Sequence, residues 1–216
     1  MYKYILFDLD GTLTDPEIGI TNGIMYALDK FGIKVNDRKE LHCFIGPPLF
    51  DAFMKYYNLN EEDSNKAVAY YREFFRKTGI YENRVFDGIK EMLEILKNAG
   101  KTLILATSKP QEFAEIVLEY FDLMQYFDCV VGATFDDTLN YKADVIRVAL
   151  ERGKVLDIKD AIMIGDRHHD IEGAKQNNLK SVGVLYGFGD REELENAGAD
   201  YIVEAPLDLL EILTGN

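Results

Sequence analysis

Short apolar runs that end in polar residues recur along the chain and predict the strands of a sheet. The first run ends at Asp8, the second at Thr107 and the third at Asp166, and a helical pattern follows the second and third. Continuous apolar runs of this length are typical of strands that are buried on both faces. From residue 85 onwards, strands and helices alternate strictly, and this alternation predicts a parallel sheet with helices on both sides.

Residues 15–84 have a different pattern, in which strand-like runs give way to apolar residues at helical spacing. Asp15 is predicted to cap the first helix of this segment, and Asn60 is predicted to cap a long one. We therefore predict a helical cap domain over residues 15–84, inserted into a core that covers residues 1–14 and 85–216. The expected fold class is α/β, a three-layer, Rossmann-like parallel sheet with an inserted α-helical bundle.

Acidic and hydroxyl side chains stand where the predicted strands end. Asp8 and Asp10 lie two positions apart, and an extended chain points such residues to the same side. Open α/β sheets bind ligands at the carboxyl ends of their strands, so Thr107 and Asp166 are expected at the same edge. Two carboxylates held this close repel each other unless a cation or a shared proton relieves the repulsion. A divalent cation that prefers hard oxygen ligands, Mg²⁺, meets this need.

Four motifs of the chain resemble those of the haloacid dehalogenase (HAD) superfamily of phosphohydrolases, in the same order. They are Asp8-Leu9-Asp10-Gly11-Thr12, Thr107 with Ser108, Lys142, and Gly165-Asp166-Arg167-His168-His169-Asp170. The helical insert after the first motif and the tail Gly183–Gly189 look like the phosphoglycolate phosphatase-like branch. Ala143 stands where many relatives carry proline, a change that affects the stiffness of a helix start and not the chemistry.

The resemblance implies a HAD-like core and a Mg²⁺-dependent phosphatase that hydrolyses a small phosphomonoester through an aspartyl-phosphate. In this scheme Asp8 is the nucleophile, and Asp10 is first the general acid and then the general base. Thr107, Ser108 and Lys142 bind the phosphate.

The resemblance also implies the ligands of the metal. The Asp8 carboxylate, the backbone carbonyl of Asp10 and the Asp166 carboxylate would hold Mg²⁺. Asp170 would orient this site without touching the metal, through Lys142 or a bound water. Thr12 would brace the turn that carries Asp10.

Two other functional classes stay open. A β-phosphoglucomutase-like transferase would pass the phosphoryl group to a sugar hydroxyl instead of water. A non-catalytic phospho-acceptor or phosphate-binding module would not turn over, and signalling receivers of this kind carry no helical insert after their first strand. Phosphoglycolate, a nucleoside monophosphate, pyrophosphate and a sugar phosphate all remain candidate substrates, because selectivity is expected in the cap.

Composition narrows the range of partners. The chain has 216 residues and a net charge of −14, which should repel nucleic acid and anionic membranes. We therefore expect a small phosphorylated metabolite as the partner, no nucleic acid polymer and no membrane, and a monomer or weak homodimer. Cys43 and Cys129 are predicted to be buried thiols in a reducing compartment. The first strand begins at once and leaves no room for a signal peptide, so we expect a cytoplasmic protein.

His168 and His169 are adjacent, and no third histidine or cysteine lies nearby in the sequence. Neighbouring residues of an extended or helical chain do not face one ligand. We therefore expect positioning or surface roles for both histidines, and no zinc site.

Overall fold

The computed structural model describes residues 2–136 and 138–215, which form two compact units. The first unit comprises Met1–Asp15 and Val85–Asn216, and the second comprises Pro16–Arg84. Two short strands, β2 (Thr14–Asp15) and β3 (Arg84–Val85), pair where the chain passes from one unit to the other.

A six-stranded parallel sheet forms the centre of the first unit. Its strands are β1 (Tyr4–Phe7), β4 (Thr102–Pro110), β5 (Cys129–Ala133), β6 (Ala161–Gly165), β7 (Lys180–Val184) and β8 (Tyr201–Val203). Their order in the sheet is β5-β4-β1-β6-β7-β8. β1 lies between β4 and β6, with Phe7 opposite both Leu105 and Ile164. The three strand ends predicted to carry the site therefore lie on adjacent strands, and the predicted parallel α/β sheet is confirmed.

The helices of the first unit follow the strands, as the alternating pattern predicts. They are α4 (Ile89–Asn98), α5 (Gln111–Tyr120), α6 (Lys142–Arg152), α7 (His168–Gln176), α8 (Arg191–Ala197) and α9 (Leu209–Thr214). A buried cluster joins Leu6, Ile104 and Met163 of the sheet to Val145 and Ile146 of α6. Burial of such side chains contributes most of the stability of a core of this kind and fixes the helix against the sheet.

The second unit is helical, as predicted. It contains α1 (Glu17–Asp29), a 3-10 helix (Arg38–Phe44), α2 (Leu49–Tyr57) and α3 (Glu61–Lys77). The predicted cap at Asn60 is confirmed, because its side chain accepts a hydrogen bond from the backbone N–H of Asp63 at 2.9 Å. The predicted cap at Asp15 is wrong: that residue belongs to β2, and α1 begins after Pro16.

Two expectations about composition can be compared with the fold. Cys43 and Cys129 are free thiols, as expected, but both are half-buried and not fully buried. Within residues 2–136 and 138–215, every helix falls short of the length or the apolar character that a membrane span requires.

Candidate active site

Three buried carboxylates form the centre of the site. Asp8 follows β1, Asp166 follows β6, and Asp170 lies in the first turn of α7. These three residues are at most 5% exposed, and each offers an oxygen within 4.8 Å of the other two. This acidic cluster is a set of hard oxygen donors that could hold a metal ion.

Lys142, at the start of α6, is the cation of this cluster. Its Nζ lies 2.9 Å from Oδ1 of Asp8 and 2.8 Å from Oδ1 of Asp170, and it donates a hydrogen bond to the carbonyl of Ala106 at 3.1 Å. The two carboxylate contacts are ion pairs by distance, but they lack the alignment of hydrogen bonds. Burial by itself would lower the pKa of Lys142, but Asp170 and Asp8 raise it above its ordinary value. Lys142 is therefore a charged ammonium at neutral pH.

Asp166 is held by contacts that leave little space around it. Thr12 Oγ1 donates to its Oδ1 at 3.3 Å, and the backbone N–H of Phe188 donates to its Oδ2 at 2.8 Å. Gly11 has a φ of +84°, and a Cβ there would come within 2.2 Å of Oδ2. A Cβ at Gly187 would come within 2.4 Å of the Asp166 Cβ. These two glycines are needed because the carboxylate occupies the space that a side chain would take.

Negative charge exceeds positive charge in the acidic cluster. Burial raises the pKa of Asp166 well above its ordinary value, with Asp170 adding to the effect and the N–H of Phe188 opposing it. Burial also raises the pKa of Asp170 to about 6, although Lys142 lowers it. Three carboxyl groups thus share one ammonium, and the raised pKa values of Asp166 and Asp170 mean that ionisation of these two groups is unfavourable here.

Thr107 and Ser108 lie at the end of β4, next to β1. Thr107 is buried, and its Oγ1 accepts a hydrogen bond from the backbone N–H of Lys109 at 3.2 Å. The pairing of β4 with β5 is regular as far as Thr107 and resumes at Pro110. Ser108, which is half-buried, and Lys109 therefore form a bulge, which changes the direction of the strand at the edge of the site.

Asp10 is paired with Lys109, a residue that the motif analysis did not single out. Lys109 Nζ lies 3.0 Å from Oδ1 and 2.8 Å from Oδ2 of Asp10, and both side chains are largely buried. Burial raises the pKa of Asp10, and the charge of Lys109 opposes that rise. The sequence signal for this pair was a lysine at the end of an apolar strand. Lysine is seldom buried unless it is paired, so a lysine in this position indicates an acidic partner.

The structure brings most of the predicted site residues together. Asp8, Lys142 and Asp170 are in direct contact, and Thr12 contacts Asp166. Besides this side-chain contact, the backbone N–H of Thr12 donates to the carbonyl of Leu9 at 3.3 Å, within the turn that carries Asp10. The acidic cluster contains the side chain of Asp170 in addition to the predicted Asp8 and Asp166.

Removal of the Lys109 charge should destabilise the protein in a pH-dependent manner. Lys109→Met keeps the length of the side chain but leaves Asp10 buried without its cation. We expect a loss of about 3–5 kcal/mol in the free energy of unfolding at pH 8, measured in urea. The pKa of Asp10 should rise further in the folded variant. The folded variant would then bind the proton of Asp10 more tightly than the unfolded chain does, so a low pH favours the folded state. The loss in the free energy of unfolding should therefore shrink as the pH falls towards 4.

Lys97→Met is the matched control, because Lys97 Nζ also contacts a carboxylate, that of Asp128, at 2.8 Å. That pair is 31% and 43% exposed, so its removal should cost less than about 1 kcal/mol. A loss in Lys109→Met that is equally small, or that does not change between pH 4 and pH 8, would contradict the assignment of a buried charge pair.

Comparisons with known proteins identify the family of the chain. Residues 5–184 match the haloacid dehalogenase-like hydrolase family. The chain is 48% identical to a 5'-nucleotidase from Pseudomonas aeruginosa, over 89% of this chain and 87% of that protein. A crystal structure of a predicted phosphatase from Clostridium acetobutylicum has a TM-score of 0.96 and 50% identity, with 100% of both chains covered. Tyrosine-protein kinase PtkA of Mycobacterium tuberculosis is 32% identical over 94% of this chain and 69% of the kinase. The chain therefore belongs to the haloacid dehalogenase-like hydrolase family and is a phosphatase of that family.

Proposed function

We propose that this phosphatase depends on Mg²⁺ and hydrolyses a small phosphomonoester through a phosphorylated Asp8. The observation that carries the proposal is the excess of buried negative charge in the acidic cluster. Asp8, Asp166 and Asp170 contribute three carboxylates, and Lys142 contributes one ammonium, which lies within 3 Å of Asp8 and Asp170. A divalent cation would balance the remaining charge, and carboxylate oxygens are the ligands that Mg²⁺ prefers.

The proposed metal ligands are carboxylate oxygens of Asp8 and Asp166, with Asp170 close enough to take part. The backbone carbonyl of Asp10 is the further ligand that the family resemblance implies. When bound, the metal would neutralise charge on the phosphoryl oxygens while the nucleophile approaches. Lys142 would add a second positive charge at the same place.

In the first half-reaction, a carboxylate oxygen of Asp8 attacks phosphorus and the bond from phosphorus to the ester oxygen breaks. Asp10 donates its proton to the departing alkoxide. Burial raises the pKa of Asp10, which favours the protonated form that a general acid needs. Thr107 and Ser108 would bind the phosphoryl oxygens through their hydroxyl groups.

In the second half-reaction, water attacks the phosphorus of the aspartyl-phosphate. Asp10, now ionised, accepts a proton from this water, and the bond between phosphorus and the Asp8 oxygen breaks. Inorganic phosphate leaves and the Asp8 carboxylate is restored. Lys109 would hold Asp10 in one place during both proton transfers, since it contacts both carboxylate oxygens.

The similarity to a named relative supports one class of substrate. The similarity to a 5'-nucleotidase favours a nucleoside monophosphate over phosphoglycolate, pyrophosphate or a sugar phosphate. The test is the release of inorganic phosphate from these four compounds in the presence of Mg²⁺. Equal and very low turnover of all four would overturn the assignment of a small-metabolite phosphatase.

A second candidate function is phosphoryl transfer to a hydroxyl other than that of water. The similarity to tyrosine-protein kinase PtkA is the observation that favours it. The two functions differ in the fate of the phosphoryl group on Asp8. Addition of a sugar alcohol or a tyrosine peptide should leave the yield of inorganic phosphate unchanged for a phosphatase, and should lower it for a transferase.

Turnover should require both a divalent metal and the charge of Asp8. Asp8→Asn keeps the size of the side chain but removes the nucleophilic oxygen, so phosphate release should fall to background. Excess EDTA should abolish turnover by the unmodified protein, and added Mg²⁺ should restore it. Full activity in EDTA, or normal turnover by the variant, would contradict the mechanism.

Asp10 should serve in both half-reactions. Asp10→Asn should lower kcat by about 10²–10⁴-fold for an alkyl phosphate, the usual effect of losing a general acid–base group. p-Nitrophenyl phosphate has a leaving group that needs little protonation, so its first step should suffer less. A burst of p-nitrophenol followed by slow turnover is therefore expected in stopped-flow measurements. Equally small losses with both substrates would mean that Asp10 only shapes the turn.

The helical unit should decide which ester is hydrolysed. The motif residues all lie outside residues 16–84, and they handle the phosphoryl group that every candidate shares. Substitutions within Gly46–Leu49 should therefore change the ratios of kcat/KM among esters more than they change the Mg²⁺ requirement. Lys66→Ala, on the exposed face of α3, is the control and should leave these ratios unchanged. If these substitutions changed kcat/KM by the same factor for every substrate, the role of Gly46–Leu49 would be purely structural.

A further inference from the structure

Two histidines and a glutamate converge in the first turns of α7, and they share no residue with the acidic cluster. His168, His169 and Glu172 each offer a ligand atom, and these atoms lie within 4.8 Å of one another. Glu172 follows His168 by four residues and His169 by three, the spacings that share one face of a helix. The imidazole rings of the two histidines have centroids 3.7 Å apart and planes tilted by 43°. We expected adjacent histidines not to face one ligand, yet their two rings lie side by side in the structure.

A second carboxylate fixes the orientation of His168. Glu193 Oε1, in α8, lies 2.6 Å from Nδ1 of His168 and accepts the backbone N–H of the same residue at 2.9 Å. It is also 2.9 Å from Nε of Arg167. A carboxylate bonded to one imidazole nitrogen selects the tautomer that presents the other nitrogen as a ligand, an arrangement that recurs around protein-bound metals.

We propose that His168, His169 and Glu172 form a binding site for a transition metal ion of the zinc class, separate from the acidic cluster. Two imidazoles and one carboxylate are a donor set that suits Zn²⁺, Co²⁺ or Ni²⁺ and suits Mg²⁺ poorly. Three protein ligands leave a fourth position for water.

The test is the binding of Zn²⁺ by the full chain in excess Mg²⁺, followed by competition with a chromophoric chelator. The excess Mg²⁺ keeps the acidic cluster from taking up zinc. We expect one equivalent of bound Zn²⁺ in the unmodified protein. His169→Ala and Glu172→Gln should each weaken its affinity by at least about tenfold, the loss typical of an altered metal site. Glu192→Gln is the matched control, since it removes an exposed carboxylate next to Glu193, and it should bind zinc normally.

Two further measurements separate this site from the acidic cluster. Asp166→Asn should keep the zinc affinity, and Co²⁺ bound to that variant should show the intense visible absorption of a four-coordinate site with nitrogen ligands. Circular dichroism and thermal unfolding check that each variant is folded. The proposal is overturned if no zinc binds, if His169→Ala and Glu172→Gln both bind like the unmodified protein, or if Asp166→Asn alone loses the metal.

Discussion

The buried ammonium of Lys142 is the interaction on which the site depends. It contacts Asp8 after β1 and Asp170 on α7, and it reaches the carbonyl of Ala106 on β4. An isolated buried carboxylate costs several kcal/mol, and two of them at this separation would also repel each other. One cation that bonds to groups from three segments lowers both costs. It also sets the position of α6, because the lysine is the first residue of that helix.

The two aspartates of the first motif lie in different environments, because each is paired with a different lysine. Asp8 and Asp10 are two residues apart, yet Lys142 pairs with Asp8 and Lys109 pairs with Asp10. Each of the two carboxylates therefore has its own cation as a direct neighbour. Enzymes that use two carboxylates for two tasks depend on such differences in environment, because the same side chain must be ionised in one place and protonated in the other.

The parallel topology explains why so much of the site could be predicted. A strand buried on both faces has a recognisable apolar run, and parallel strands must end at the same edge. The positions of Asp8, Thr107 and Asp166 follow from these two facts. The contact of Lys109 with Asp10 does not, because it depends on a bulge in β4 that leaves no periodic trace in the sequence. The closeness of the two histidine rings could not be predicted for a related reason: backbone spacing does not determine the side-chain rotation that brings two rings together.

The charge of the chain and the charge of the site act over different distances. The net charge of −14 is spread over the whole molecule and repels a polyanion at many phosphates at once. At physiological ionic strength the repulsion between exposed charges is largely screened beyond about 8 Å. A single phosphate ester at the edge of the sheet therefore responds mainly to the nearest charges, which include Lys142 and Lys109. We therefore propose that this strongly acidic protein would bind a small phosphate ester and would not bind nucleic acid, and that Lys142 and Lys109 would contribute to its affinity for phosphate.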